Sequence, residues 1–237
     1  MSLDVKTPST TVKSRSYDSP RRREQAAATR ERILDAAAQL FVAHGFAGTS
    51  VPEIAREAQV ALKTVYVAFE TKTGLLQALW ARRLAPGEED VPVFERAWYR
   101  ALVEEPDPRR RLQLLAAQSR AVKTRSGDLL EVIRNAATSD PEISSLWDQI
   151  EGKLLAVQSA VVTLLKDSRA LPEGLDEESA TDILWTLHHP SVWHLLVRRR
   201  RWPPERYEKW LAHEACSSLL HPPNPEGHQA TAHNRPT

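Results

Sequence analysis

The segment TRERILDAAAQLFVAHGFAGTSVPEIAREAQVALKTVYVAFETKTGLL, residues 29–76, carries the strongest structural pattern in the chain. In its first part, apolar residues recur at helical spacing, namely Ile33, Ala37, Leu40 and Phe41. This spacing predicts one amphipathic helix from about Glu24 to His44. Gly45 follows directly and has the freedom to adopt the left-handed conformation that ends many helices.

A second, short helix is predicted to begin at Ser50. Glu53 stands three residues later, and this pair forms the capping-box pattern in which each residue bonds the backbone of the other. Pro52 is tolerated in the first turn because its missing N–H has no partner inside the helix. We expect this helix to end near Ala58.

A third short helix is predicted over Leu62 to Phe69, with Leu62, Val65 and Phe69 on its inward side. Thr71 then caps a fourth helix, which runs from residue 72 to residue 84. Two short helices joined by a tight turn and packed on a longer helix describe a helix-turn-helix, here residues 50–69. In such units the second short helix enters the major groove of DNA.

The outward side chains of the third helix are the candidates for reading bases. Lys63 can bond guanine acceptors or phosphate, Thr64 can bond bases or phosphate, and Val67 can contact a thymine methyl group. Short helix pairs also occur in bundles that bind no nucleic acid, so this spacing alone is equally compatible with a helical bundle that does not bind DNA.

Other residues are candidates for the DNA backbone. The Tyr66 hydroxyl is placed to reach a phosphate. Thr49 and Ser50, together with the free N–H groups at the start of the second helix, form a candidate anion site. Lys72, at the start of the fourth helix, is expected to contact the same backbone.

Residues 29–76 resemble the DNA-binding domain of the tetracycline-repressor (TetR) family of bacterial regulators. The matching groups are Thr29–Ala37, Leu40-Phe41, Gly45-Phe46, Gly48–Val51, Glu53–Ala55, Ala58, Val60, Thr64–Tyr66, Phe69, Lys72 and Leu75-Leu76. The resemblance implies phosphate contacts from Thr49, Tyr66 and Lys72, and base contacts around Ala61 to Val67.

The turn departs from the family pattern at two positions. Gln59 stands where the family usually has glycine, and it must adopt a left-handed backbone that glycine adopts more easily. Ala61 stands where the family usually has serine, so the third helix lacks a capping hydroxyl.

The rest of the chain predicts an all-α body. Residues 85–220 contain five to seven longer helical patterns separated by prolines, and alternating strand patterns are absent. The predicted organisation is an N-terminal three-helix DNA-binding domain with its linking fourth helix over 21–84, followed by a larger effector-binding and dimerisation domain. Residues 1–20, which are basic, and 221–237 are predicted to be disordered.

The resemblance also implies that the last two long helices form a homodimer through a four-helix bundle. The residues expected in that interface are Leu195, Trp210, Leu211 and Leu219. The same stripe would equally serve as the core of a monomer. A small-molecule effector is expected in an apolar cavity of the body, and its candidate lining residues are Trp98, Trp147, Trp185 and His188.

Composition excludes several classes of protein. Lys and Arg number 32 against 31 Asp and Glu, so a uniformly basic nucleic-acid binder is excluded. A single cysteine, Cys216, excludes an internal disulfide framework and a Cys-rich zinc module. No catalytic motif, membrane span, metal site or cofactor site is predicted, and the expected location is the cytoplasm.

The sequence therefore predicts a transcriptional regulator rather than an enzyme. It would act as a repressor that binds a palindromic operator in double-stranded DNA as a homodimer. A small-molecule effector would release it from that operator. The alternative is a helical protein-interaction adaptor whose helix-turn-helix no longer binds DNA, and Gln59 and Ala61 favour that alternative.

Overall fold

The structure, a computed structural model, describes residues 20–221. Every regular element in this range is helical, which confirms the all-α prediction. The predicted N-terminal arm, apart from Pro20, and the predicted C-terminal tail, apart from His221, lie outside the described residues.

Four helices form the N-terminal head. They are α1 (Pro20–His44), α2 (Val51–Glu57), α3 (Leu62–Phe69) and α4 (Lys72–Leu84). The last three agree with the predicted bounds. Helix α1 begins four residues before the predicted Glu24, because proline is favoured at the first helical position and the Arg and Glu residues that follow are good helix formers.

Six further helices form the body, within the predicted range. They are α5 (Ala97–Glu104), α6 (Pro108–Ala137), α7 (Pro141–Asp167), α8 (Glu177–His188), α9 (Pro190–Trp193) and α10 (Pro204–Leu219). A π-helical turn over His194–Arg199 continues α9. Helices α6, α7, α9 and α10 all carry proline in their first turn, where its missing N–H costs nothing.

Head and body share one hydrophobic core. Ile33, Phe41 and Leu76 are fully buried in the head. The same cluster continues into α6 and α7 through Leu129, Leu130, Ile133, Ile143, Leu146 and Ile150. Because apolar burial is the main stabilising contribution in folding, the head is held on the body by packing as well as by the chain.

Polar contacts fix helix α4 between the head and the body. The Arg82 guanidinium bonds Glu31 at 2.6 Å and Asp35 at 2.9 Å, both on α1. On the other side, the Arg83 Nη1 atom donates to the Arg125 carbonyl on α6 at 2.7 Å. A displacement of α4 would therefore act on both neighbours. None of the helices in residues 20–221 is both long and apolar enough to span a membrane.

Candidate functional site

The start of helix α2 has the predicted cap. The Glu53 N–H donates to the Ser50 hydroxyl, while the Ser50 N–H donates to the Glu53 carboxylate at 2.8 Å. The Ser50 hydroxyl also donates to this carboxylate at 2.7 Å, and the bonds from the Ser50 hydroxyl and N–H hold the pKa of the Glu53 carboxyl below its ordinary value. Gly45 adopts the expected left-handed backbone, with φ of 72°. Ser50 remains exposed at the helix start and keeps its place in the candidate anion site.

Thr49 does not present its side chain to DNA, contrary to the prediction. It is only 2% exposed, and its hydroxyl donates to the Gly45 carbonyl at 2.8 Å and to the Leu40 carbonyl at 3.1 Å. The physical reason is that the bend between α1 and α2 has carbonyls that need donors inside the protein. Thr49 therefore fixes the position of α2 and does not offer a phosphate contact through its hydroxyl.

Replacing Thr49 with valine, which has nearly the same shape, should lower the free energy of unfolding by about 1–3 kcal/mol, since two internal hydrogen bonds are lost. Urea denaturation followed by circular dichroism measures this loss. Thr124→Val, at an exposed position of α6, serves as the matched control and should change stability by about 0.5 kcal/mol or less. Equal stability of the two variants would contradict the positioning role of Thr49.

Lys72 also bonds within the head. Its Nζ atom donates to the Phe46 carbonyl at 3.0 Å and to the Thr49 carbonyl at 3.1 Å, and it lies 4.1 Å from the centre of the Phe46 ring. An ammonium group has three N–H donors, so one remains for a phosphate. Lys72 thus joins the loop before α2 to the start of α4 while keeping a role at the DNA backbone open.

Helix α3 presents one face to the surface, as predicted. Val65 and Phe69 are buried against the head. Lys63 and Tyr66 are exposed, Val67 is 76% exposed, and Thr64 is half-buried.

Leu62 differs from the prediction, because it is 40% exposed rather than inward. It is the first residue of the helix and lies at the edge of the head, beyond the reach of the shared core.

The two departures in the turn have the expected local effects. Gln59 has a φ of 54°, in the left-handed region that favours glycine. Ala61 occupies the N-cap of α3 and makes no side-chain cap bond. Neither feature alters the course of α3, which still covers Leu62–Phe69.

The body contains a cavity of about 580 Å³. Trp98 and His188 line it, as predicted, together with Trp80, Leu84, Lys123, Leu130, Ile150 and Gln158. Trp147 and Trp185 do not line it, contrary to the prediction. Trp147 packs on the core shared with the head, and the Trp185 ring lies 5.0 Å from the His189 ring. Both indoles therefore have packing partners elsewhere.

The residues predicted for a dimer interface divide into two groups. Leu195 is 57% exposed and Trp210 is half-buried, so both keep surface that a partner could cover. Leu211 and Leu219 are fully buried within a single chain, which corrects their assignment to an interface. Their side of α10 packs inward, so the helix has little apolar surface left on its outer side.

Histidines 188, 189 and 194 do not come together. The His189 ring accepts from the Ser191 N–H at 3.2 Å and lies 3.0 Å from Glu151, while His194 lies 3.3 Å from Glu131. Across residues 20–221, no group of three or more His, Cys, Asp or Glu side chains is placed to hold a metal ion.

Comparison with known proteins bears directly on the head. Residues 33–79 match the family model described as "Bacterial regulatory proteins, tetR family". The chain is 40% identical over 82 residues to the HTH-type transcriptional regulator SrpR of Pseudomonas putida. The N-terminal domain belongs to the TetR family.

The relationship to SrpR does not cover the whole protein. It spans 33% of this chain and 38% of SrpR, so the chain matches less than two thirds of that relative. The match to the TetR family model, over residues 33–79, lies within the head.

Solved structures extend the likeness to the whole fold. NalD of Pseudomonas aeruginosa, described as the secondary repressor of the MexAB-OprM multidrug efflux pump, has a TM-score of 0.65 at 21% identity, over 82% of this chain and 98% of its own. FadR of Bacillus subtilis, solved in complex with stearoyl-CoA, has a TM-score of 0.64 at 19% identity, over 80% of this chain and 98% of its own. The body thus has the helical architecture that accompanies TetR-type heads.

One notable residue of the cavity, Lys123, was not predicted from the sequence. A signal was present, because Lys123 follows Leu115 and Ser119 at helical spacing on the buried side of α6. A charged residue in an apolar stripe is normally assigned to the surface, whereas here it is 6% exposed.

Proposed function

We propose that this protein is a transcriptional regulator that binds operator DNA through the exposed face of α3. The observation that carries the proposal is that Lys63, Tyr66 and Val67 face outward from the second helix of a TetR-type helix-turn-helix. These side chains provide a cation, a hydroxyl and a methyl surface, which suit the acceptors, phosphates and thymine methyl groups of a major groove. The HTH-type regulators that resemble the head support the same function.

Replacing Lys63 with alanine should weaken operator binding by about 10-fold, and Tyr66→Phe should weaken it by a smaller factor, because each removes a contact of about 1–3 kcal/mol or less. Fluorescence anisotropy with DNA from upstream of the protein's own gene measures the affinity. Both variants should remain helical by circular dichroism, since the substituted side chains lie outside the core.

Lys153→Ala is the matched control, because Lys153 is exposed on α7, in the body. It removes the same charge and should leave the operator affinity within about two-fold. Unchanged affinity in both α3 variants would contradict the assignment of α3 as the reading helix. Absence of DNA binding by the unmodified protein would favour the protein-interaction adaptor instead.

An effector in the body cavity is the proposed signal for release from DNA. Helix α4 supplies Trp80 and Leu84 to the cavity wall. Leu130 and Ile150 line the cavity and also belong to the core shared with the head. A ligand would therefore contact both the linking helix and the packing beneath the head. A coupling free energy of about 1–3 kcal/mol would change operator affinity about 5- to 150-fold.

The descriptions of two structural neighbours support a repressor that responds to a ligand. NalD is described as a repressor, and FadR was solved with stearoyl-CoA bound. We propose the same two properties for this chain, with the ligand in the 580 Å³ cavity.

The proposed assembly is a homodimer that places two α3 helices on a palindromic operator. Helices α8 and α10 pack against each other, and nearby Leu195 and Trp210 retain exposed surface. Two copies give enough contacts for specific recognition, which one small head does not. Sedimentation equilibrium should give twice the chain mass of 26.7 kDa, and a monomer on DNA would contradict this assembly.

A further inference from the structure

The charged groups of the body cavity have an unusual distribution. Arg96 and Lys123 line the cavity and are both buried. The carboxylates that line it, Glu89 and Asp90, are exposed, and no aspartate or glutamate between residues 20 and 221 is buried. Water screens exposed charges far more strongly than buried ones, so the inner wall of the cavity is electrically positive.

Lys123, one of these buried cations, has no carboxylate partner within residues 20–221. Its Nζ atom donates to the Ser119 hydroxyl at 2.9 Å, the Tyr207 hydroxyl at 2.7 Å and the His188 carbonyl at 2.6 Å. All three acceptors are neutral oxygens. Burial lowers the pKa of Lys123 to about 7 because no neighbouring anion offsets the loss of hydration.

The groups around Lys123 do not supply a negative charge either. Burial and the charge of Lys123 hold the pKa of His188 well below its ordinary value, so this imidazole is neutral. Burial raises the pKa of the Tyr207 hydroxyl, which keeps the phenol protonated. The protonated amine of Lys123 therefore has no anion beside it within residues 20–221, and the carboxylate of a molecule that enters the cavity would stabilise this protonated form.

In the part of the chain that the structure describes, three buried polar atoms of cavity-lining residues lack a hydrogen-bond partner. They are Trp98 Nε1, Gln158 Oε1 and His188 Nε2, and all three residues line the cavity. Buried polar atoms in folded proteins nearly always have a partner. A ligand with a polar group would supply these partners, while Leu115, Val122 and Val157 offer an apolar surface to the rest of that ligand.

We propose that the cavity binds an organic acid, with a hydrocarbon body and one carboxylate whose charge Lys123 neutralises. This inference rests on the proposed ligand-responsive function and names the chemical class of the effector. A volume of about 580 Å³ lies within the range of small-molecule sites. A cationic ligand would instead meet the basic side chains of Arg96, Lys123 and Lys153, which line the same cavity.

The test compares three probes of equal length, namely decanoate, decanamide and decylamine, which are an anion, a neutral molecule and a cation at pH 7. Trp80 and Trp98 line the cavity, so the tryptophan fluorescence of the full chain reports binding. Decanoate should bind at least about 10-fold more tightly than decanamide, because only decanoate carries a negative charge, and opposite charges attract strongly at a site that excludes water. Decylamine should bind more weakly than either.

Two variants locate the charge that produces this preference. Lys123→Met should remove most of the preference for decanoate while leaving decanamide affinity within about three-fold, since the chain length of the side chain is kept. Lys209→Met is the matched control, because Lys209 is exposed on α10 and is not one of the residues that line the cavity. It should retain the preference, and circular dichroism checks the fold of both variants.

Three results would overturn the inference. They are equal binding of decanoate and decanamide by the unmodified protein, no binding of any probe, and a preserved preference in folded Lys123→Met. The comparison of probes on the unmodified protein does not depend on how well Lys123→Met folds. Operator binding is measured separately. If the protein binds its operator but does not prefer decanoate, only the proposed chemical class of the effector is contradicted. If the protein prefers decanoate but does not bind operator DNA, the proposed function as a regulator is contradicted, while the proposal that the cavity binds an organic acid is supported.

Discussion

Replacing Arg111 with methionine should lower the free energy of unfolding by about 3–5 kcal/mol, because each hydrogen bond from a buried charged group contributes about 1.5–3 kcal/mol. The Arg111 guanidinium is buried and donates to three carbonyls, those of Leu102 at 3.2 Å, Glu105 at 2.6 Å and Leu164 at 3.3 Å. Methionine keeps much of the length of the side chain but has no donor.

The position of these carbonyls explains the size of the effect. Leu102 lies in the last turn of α5 and Glu105 at its C-terminal cap, where backbone carbonyls have no partner within the helix. Leu164 O also accepts from the Ser168 N–H and hydroxyl, so it keeps partners after the substitution. The loss therefore falls mainly on the end of α5, the helix that carries Trp98 to the cavity.

Urea denaturation of Arg111→Met, followed by circular dichroism, measures the loss. Arg110→Met is the matched control on the same helix, because Arg110 is exposed and bonds the side chain of Gln113. It should change the free energy of unfolding by about 0.5 kcal/mol or less. Similar stability of the two variants would show that the buried guanidinium does not hold the end of α5.

The second prediction with a large expected effect concerns Lys123, which should make the stability of the protein depend on pH. Its pKa is about 7 in the folded protein, whereas an unfolded chain has a lysine pKa of about 10.4. Below pH 7 the amine is protonated in both states, and folding bears the full cost of burying the charge. Between these pKa values the unfolded state binds more protons, so the contribution of Lys123 to stability rises with pH.

The unfolding free energy of the unmodified protein, minus that of Lys123→Met, should therefore increase by about 2–3 kcal/mol from pH 7 to pH 9. Groups that titrate equally in both proteins cancel in this difference. Over this range His188 stays neutral and Tyr207 stays protonated, because burial shifts their pKa values away from it. Chemical denaturation at several pH values gives the difference.

Lys153→Met provides the comparison for this experiment, because Lys153 is exposed and its amine remains in water in both states. The corresponding difference for Lys153→Met should stay flat within about 0.5 kcal/mol between pH 7 and pH 9. A flat difference for Lys123→Met would mean that its amine is hydrated in the folded protein.

The parts of the fold that the sequence predicted are those set by local chemistry. The starts of α2 and α4 follow from Ser50 and Thr71 as capping residues, and the end of α1 follows from the left-handed turn at Gly45. These signals act within one turn of the chain. They need no knowledge of what packs against each helix, and so the sequence alone was enough.

The wrong predictions concern residues whose position and partners are set by tertiary packing. Helical spacing shows that Leu211 and Leu219 share a face, but not whether that face meets the same chain or a partner, and the structure places it inside the monomer. Thr49 was predicted to contact phosphate, whereas two carbonyls of the bend take its hydroxyl. Which of several partners a polar side chain takes depends on the three-dimensional course of the backbone.

The core that head and body share sets a condition for exchanging heads between relatives. Leu129 and Ile133 on α6, and Leu146 on α7, belong to the body by sequence but complete the packing of the head. A chimera joined after α4 would place foreign side chains against these residues. The volume mismatch would cost stability, since tightly packed interiors respond to a change of even one methylene group. A chimera made to change operator specificity should therefore take these apolar residues of α6 and α7 from the donor protein together with its head.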